Sequence, residues 1–186
     1  MPPAEDAVTA DPAPGAILID RERLAARVAA LGRQIRAEAG AGRPLHLVGV
    51  LTGACVFLAD LMRQIDGPVS CDFIGLSSYG AGTSTSGEVR LTHDLNTRIE
   101  GRDVLIVEDI VDTGLTLSFL CEILRTRGPR SLRTVCLLSK SSRRRATVTV
   151  DYVGFEIGDQ FVVGYGLDYD GYYRNLPHIA VLTGEG

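Results

Sequence analysis

Residues 103–116 read Asp-Val-Leu-Ile-Val-Glu-Asp-Ile-Val-Asp-Thr-Gly-Leu-Thr and gather the side chains of this chain best suited to chemistry. Glu108 and Asp109 close an aliphatic run, and Asp112, Thr113, Gly114 and Thr116 follow. The carboxylates can hold a divalent cation, accept hydrogen bonds from sugar hydroxyls or take a proton, but they repel phosphate. The threonine hydroxyls and the close backbone approach allowed by Gly114 suit a phosphate monoester instead. They do so best where a helix begins and its first amides lack partners. A phosphate cradle beside a sugar-and-metal edge points to a phosphorylated ribose. The alternative is an ordinary strand–turn–helix with an acidic first turn. Three acids and two threonines within nine positions favour the site.

The elements that must position these groups are legible around them. Residues 104–107 form an unbroken apolar run, as in a central strand buried on both faces. Glu108 and Asp109, adjacent on extended chain, should then point to opposite sides. Leu117, Leu120 and Leu124 recur at helical spacing beyond the loop. Upstream, Asp20 is placed to cap a helix with the stripe Leu24, Val28, Leu31 and Ile35, ending at Gly40. Strands are expected at 45–51, 69–76, 88–95, 131–138 and 152–157, an apolar helix at 54–65, and a closing apolar segment at 178–182. Strand–helix–strand recurrence predicts an α/β fold with a central parallel sheet flanked by helices. Ligands on such sheets sit at the carboxyl ends of the strands. Thr52-Gly53, the 108–116 loop and Ser139-Lys140 should therefore meet in one crevice. Residues 77–87, which include Ser78 and Tyr79, are small, polar and glycine-rich. They read equally as a floppy hairpin connection or a mobile lid.

At 186 residues the chain suits one domain with a substantial core. Residues 1–15, rich in Ala, Pro and Asp, read as a disordered tail, and 16–186 as the domain. A formal charge of −4 argues against a nucleic-acid partner, and Arg143, Arg144 and Arg145 read as a solvated loop. No stretch is apolar and long enough to span a bilayer, and no secretory leader is evident, so a cytoplasmic protein is expected. Cys55, Cys71, Cys121 and Cys136 read as reduced core residues, and the scattered histidines suggest no zinc site. Of 19 basic residues only Lys140 is lysine, which marks it for inspection.

The segment Val-Leu-Ile-Val-Glu-Asp-Ile-Val-Asp-Thr-Gly-Leu-Thr resembles the phosphoribosyl-pyrophosphate (PRPP) binding motif of the type I phosphoribosyltransferases. Residues 153–169, Val-Gly-Phe-Glu-Ile-Gly-Asp-Gln-Phe-Val-Val-Gly-Tyr-Gly-Leu-Asp-Tyr, are similar to the base-binding segment of the hypoxanthine(-guanine) phosphoribosyltransferases. So are Asp72-Phe73-Ile74 leading to Ser78-Tyr79, and Gly87-Glu88-Val89. The resemblance spans about residues 45–183. It implies the type I fold, with a core at about 40–150 and a small base-binding hood at about 151–186 that takes N-terminal contributions. It further implies transfer of phosphoribose from PRPP to hypoxanthine or guanine, giving IMP or GMP and pyrophosphate, with Mg²⁺ as cofactor. The apolar helices expected near the N-terminus add the expectation of a homodimer or homotetramer.

Carried over by position, the resemblance gives Phe161 the stacking face for the purine and Val162 main-chain contacts to its edge. Lys140 would donate to the 6-oxo group, and Asp168 would lie near the 2-position and a second Mg²⁺. Glu108 and Asp109 would hold ribose hydroxyls and metal, and residues 112–116, Leu115 included, the 5′-phosphate. Asp112 would also serve as general base, Arg174 would contact pyrophosphate, and residues 77–87 would close over the site. In one respect the chain departs from the pattern. Where the family commonly has a basic residue before the glycine of the pyrophosphate turn, this chain has Thr52, then Gly53. Weaker PRPP binding is expected, or compensation by Arg174 or a neighbouring subunit. Two rivals stand beside this reading: a non-catalytic sensor of PRPP, and a Mg²⁺-dependent phosphohydrolase using Asp109 or Asp112 as nucleophile. The sensor would need a basic face, and the hydrolase would have no use for Lys140 and Phe161.

Overall fold

In the computed structural model, which describes residues 13–40, 42–78 and 89–183, the apolar runs pair into a six-stranded sheet. Its strands are β2 (Leu45–Leu51), β3 (Val69–Ser78), β4 (Val89–His93), β5 (Asp103–Val111), β6 (Ser131–Ser139) and β7 (Tyr152–Glu156), in the order β4-β3-β2-β5-β6-β7. All neighbours are parallel except β4, which returns antiparallel to β3. The central strands β2 and β5 are buried along most of their length, which is why both read as continuous apolar runs.

Three helices cover the sheet: α1 (Arg21–Ala39), α2 (Ala54–Met62) and α3 (Leu115–Thr126). Asp20 caps α1 by accepting the Arg23 N–H at 2.8 Å. Leu24, Val28, Leu31 and Ile35 of α1, with Phe57, Leu58 and Leu61 of α2, pack on the face that carries Leu105 and Val107 of β5. Leu117, Leu120 and Leu124 of α3 pack on the other face, with Val104 and Ile106. Each such leucine contributes about 1.5–3 kcal/mol by leaving water. The alternation along β5 sets the site: continued outward, it sends Glu108 towards α3 and Asp109 towards α2.

A second, antiparallel sheet has the order β1-β9-β8, with β1 at Ala13–Ile19, β8 at Val162–Val163 and β9 at Ile179–Thr183. It forms the hood. Two expected boundaries are corrected by it. Ala13–Gly15 belong to β1 rather than to a tail, because their backbone pairs with β9 at the far end of the chain. β7 is the edge strand of the core sheet, parallel to β6, so the hood starts after Glu156 and not at 151. The apolar stripe of α1, one ground for expecting an oligomer, is consumed in the protein's own core. Cys121 and Cys136 are buried and Cys55 partly so, but Cys71 is exposed and not a core residue. Among the described residues no helix is long and apolar enough to cross a membrane.

Candidate active site

The carboxyl end of β5 delivers its two acids to opposite sides of the sheet. Asp109 lies over Gly53 at the start of α2, so closely that a β-carbon on Gly53 would fall on its carboxylate. Its Oδ1 accepts the Ile110 N–H at 2.7 Å. Burial pushes the Asp109 carboxyl up to about 6. Nearby Asp168 pushes the same way, against the pull of the Ile110 N–H and of Arg174. Glu108 is buried, its carboxyl raised well above the usual range by burial and then by Asp109. Its Oε2 has no hydrogen-bond partner among the described residues. A buried acid with an orphaned oxygen, next to a part-buried acid on the other side of the sheet, is an arrangement whose charge a nearby cation would relieve.

The chain then turns into α3 through a loop whose amides are left open. Gly114 stands at the N-cap with φ 81°, a left-handed conformation that disfavours a side chain. Among the described residues no side chain caps this helix, and the Thr113 hydroxyl accepts the Leu115 N–H at 3.5 Å. Leu115 is exposed. The backbone of the segment after β6 packs against the loop: the Arg145 and Ala146 amides donate to the Thr113 carbonyl at 2.9 and 3.1 Å. Arg144 lies beneath Gly114, where a β-carbon would meet its Cδ at 2.9 Å.

Beside this loop opens a cleft of about 260 Å³ lined by Asp109, Ile110, Asp112, Lys140, Phe161, Val162, Leu167 and Asp168. Lys140 is only 6% exposed, although lysine is rarely buried without a partner. Its Nζ faces Asp112 at 3.8 Å and Asp159 at 3.9 Å, both beyond hydrogen-bond reach, so the ammonium can still donate to a ligand. Phe161 is the reverse case, an aromatic ring left 43% exposed and held edge-on by Tyr169 at 5.7 Å. A buried ammonium and an exposed ring across one small cleft suit a flat ligand with a carbonyl oxygen.

On the far side, Arg174 Nη2 pairs with Asp168 Oδ1 at 2.7 Å, and its Nη1 donates to the Gly166 carbonyl at 2.6 Å. The Gly166 amide returns a bond to the Arg174 carbonyl at 3.0 Å. Thr52 is exposed at the turn, and the Leu51–Thr52 peptide is cis.

Comparison with known proteins bears on this geometry. A family model for the phosphoribosyl transferase domain matches residues 17–170. The chain belongs to the phosphoribosyl transferase family. It is 51% identical over 166 residues to a hypoxanthine-guanine phosphoribosyltransferase of Bacillus subtilis, covering 89% of this chain and 92% of that protein. It is 50% identical over 182 residues to the protein of that name from Mycobacterium tuberculosis, covering 94% and 90%. A solved hypoxanthine phosphoribosyltransferase from Staphylococcus aureus superposes with a TM-score of 0.86 at 45% identity, covering 91% of each chain. The fold is that of the type I phosphoribosyltransferases.

Of the phosphoribosyltransferase residues expected from sequence, Asp109, Asp112, Lys140, Phe161, Val162 and Asp168 line the one cleft. Arg174 joins them through Asp168, and Gly53 through Asp109. Glu108 lies behind the cleft, buried on the α3 side. Thr113, Gly114, Leu115 and Thr116 flank it at the start of α3. Ser78 ends β3 and does not line the cleft, while Tyr79 and most of the 77–87 loop lie outside the described residues. Arg143 is exposed, as a solvated loop implies, but it also carries ion pairs that the sequence reading did not foresee. It lies 2.8 Å from Asp112 and 2.7 Å from Asp159. Nothing local announces these pairs, because its partners are 31 and 16 residues away in the chain.

The donor set fits magnesium in one specific way. Among the described residues no three acids, histidines or cysteines converge into a metal cage. Mg²⁺ commonly uses one or two carboxylates and takes its other ligands from substrate phosphates and water. Asp109 and Asp168 face the cleft and would supply such carboxylates, with Glu108 behind them.

Proposed function

We propose that the chain transfers the 5-phosphoribosyl group of PRPP to hypoxanthine or guanine, giving IMP or GMP and pyrophosphate. One observation carries the reading: Lys140, buried and still able to donate, faces the exposed ring of Phe161 across a cleft that also holds Asp112. In that cleft the purine stacks on Phe161 and its 6-oxo group accepts from Lys140. Adenine, with an amino group at that position, gives the ammonium nothing to bind. The 5′-phosphate takes the open amides and hydroxyls of Thr113, Gly114 and Thr116.

The purine N9 bonds to the anomeric carbon as the bond from that carbon to pyrophosphate breaks, and the proton carried on N7 passes to Asp112. Asp112 is suited to this because it lines the same cleft as Lys140 and Phe161. Arg174 lies beside Asp168, where one hydrogen bond exchanged for a pyrophosphate oxygen would place its charge on the leaving group. Magnesium held by Asp109 and Asp168 would supply further charge neutralisation for the pyrophosphate.

Self-association as a dimer or tetramer belongs to the same proposal, and sedimentation equilibrium reads it. The activity is tested by initial rates of pyrophosphate release with PRPP, Mg²⁺ and each purine base. Release that depends on hypoxanthine or guanine, with adenine at least ~10-fold poorer, is expected from one charge-assisted hydrogen bond. Release without any base would favour a hydrolase, and release with adenine alone would remove Lys140 from the reading.

A further inference from the structure

Four charges meet at the mouth of the cleft. Arg143 places Nε 2.8 Å from Asp112 Oδ1 and Nη1 2.7 Å from Asp159 Oδ1. Lys140 faces the same two carboxylates from the buried side, at 3.8 and 3.9 Å. Each cation thus spans both acids, and the ring is neutral. The two contacts of Arg143 differ in kind. The one to Asp159 is a directed hydrogen bond, whereas Asp112 Oδ1 accepts no directed bond despite its short distance to Nε. Arg143 thus reaches Asp112 by charge at short range and Asp159 by a hydrogen bond.

The backbone places Arg143 there. The Lys140 amide donates to the Val111 carbonyl at 3.0 Å, and the Arg145 and Ala146 amides donate to the Thr113 carbonyl at 2.9 and 3.1 Å. These bonds bracket Asp112 on both sides, and the short 3-10 turn Ser141–Arg143 between them swings Arg143 across to it. Asp159 arrives from the other direction, two residues before Phe161. Through Arg143, the segment that carries the stacking ring is tied to the loop that carries the base.

We propose that Arg143 is a positioning residue for the reaction: anchored by Asp159, its guanidinium holds the Asp112 carboxylate in line with a purine lying on Phe161. The proposal rests on the transferase reading and on Asp112 as the base. An isolated exposed ion pair does little. A planar fork bridging two carboxylates is different, because it fixes direction as well as charge, and a lysine cannot reproduce its two-sided reach.

Steady-state kinetics of four variants of the full chain test the idea. Arg143→Leu is expected to lower kcat by ~10- to 100-fold, the scale of a misaligned catalytic group, with KM for PRPP within about twofold of the parent. Arg143→Lys should recover only part of that loss. Asp159→Asn should reproduce part of it. The double variant Arg143→Leu/Asp159→Asn should be no slower than Arg143→Leu alone, because the two act through one contact. Since Arg143 is 43% exposed, its removal leaves no buried gap, and a purely structural role would not separate kcat from KM. Unchanged kcat in Arg143→Leu, full activity in Arg143→Lys, or losses that multiply in the double variant would each overturn the proposal. Asp112→Asn separates the two layers. If it abolishes turnover while Arg143→Leu leaves kcat unchanged, only the positioning role falls; if it retains turnover, the base assignment falls and the positioning role with it.

Discussion

Replacing Gly53 by alanine should injure catalysis while leaving the fold intact. Gly53 has φ −59° and ψ −39°, a helical conformation that alanine adopts without strain. The added β-carbon would lie on Asp109 Oδ2 and 2.6 Å from Asp109 Cγ. Carbon atoms prefer roughly 3.5–4.0 Å from their neighbours, so Cγ must retreat by about 1 Å and the nearer oxygen by about 1.5 Å or more. Retreat also strains or breaks the 2.7 Å bond from the Ile110 amide, at a cost of about 0.5–1.5 kcal/mol. Against this, exchange of glycine for alanine in a compatible conformation stabilises by about 0.4–1 kcal/mol, so the net change in stability should be small. For a carboxylate proposed to hold metal and sugar, displacement by about 1 Å or more is a different matter, and a loss of ~100-fold in kcat/KM for PRPP is expected. The assay pairs thermal melts with initial rates over a magnesium titration, and the variant should need more Mg²⁺ for its half-maximal rate. A rate within threefold of the parent would refute the placement of Asp109, and a large fall in melting temperature would refute the claim that Gly53 is there for the site.

Other expectations follow from the same geometry. Lys140→Met should remove one charge-assisted hydrogen bond of about 1.5–3 kcal/mol and erode the preference for 6-oxo over 6-amino purines by ~10- to 100-fold; competition assays with hypoxanthine and adenine read it. Glu108→Gln should raise the melting temperature at pH 7–8 without Mg²⁺, because it removes a charge that burial disfavours, and an unchanged or lower midpoint would contradict that cause. Asp103, held at about 2 first by Arg130 and also by Ser131 and Arg43, sits below its unfolded value of about 4. Its stabilisation, on the order of 1–2 kcal/mol, is therefore complete above about pH 4 and lost as pH falls through about 2; urea melts of the parent and of Arg130→Met across pH 2–5 should converge at the acid end. Thr52→Lys should tighten PRPP binding if a missing charge limits this turn, and isothermal titration showing no change would mean that the compensation already exists.

What the sequence made legible was local and periodic. The stripe of α1, the buried run of β5 and the spacing of Leu117, Leu120 and Leu124 each specify an element without reference to anything distant. The opposed directions of Glu108 and Asp109 followed from the pleat alone. What escaped depends on contacts across the chain. β1 buries only Ile19 fully and exists through its pairing with β9. The segment 161–167 looks like one apolar strand, but Gly164, Tyr165 and Gly166 adopt positive φ and end β8 after Val163. The need for Gly53 becomes visible only when Asp109 is found on top of it. Arg143 sits in a basic triplet whose composition says surface, and its role lies in two carboxylates that the fold brings to it.

The central claim is most directly tested by a crystal structure of the chain with IMP. The account predicts the 5′-phosphate on the amides of Thr113, Gly114 and Thr116, the ring flat against Phe161, and the 6-oxo oxygen within hydrogen-bond distance of Lys140 Nζ. A phosphate lodged away from that loop, or a ring that leaves Phe161 bare, would contradict it.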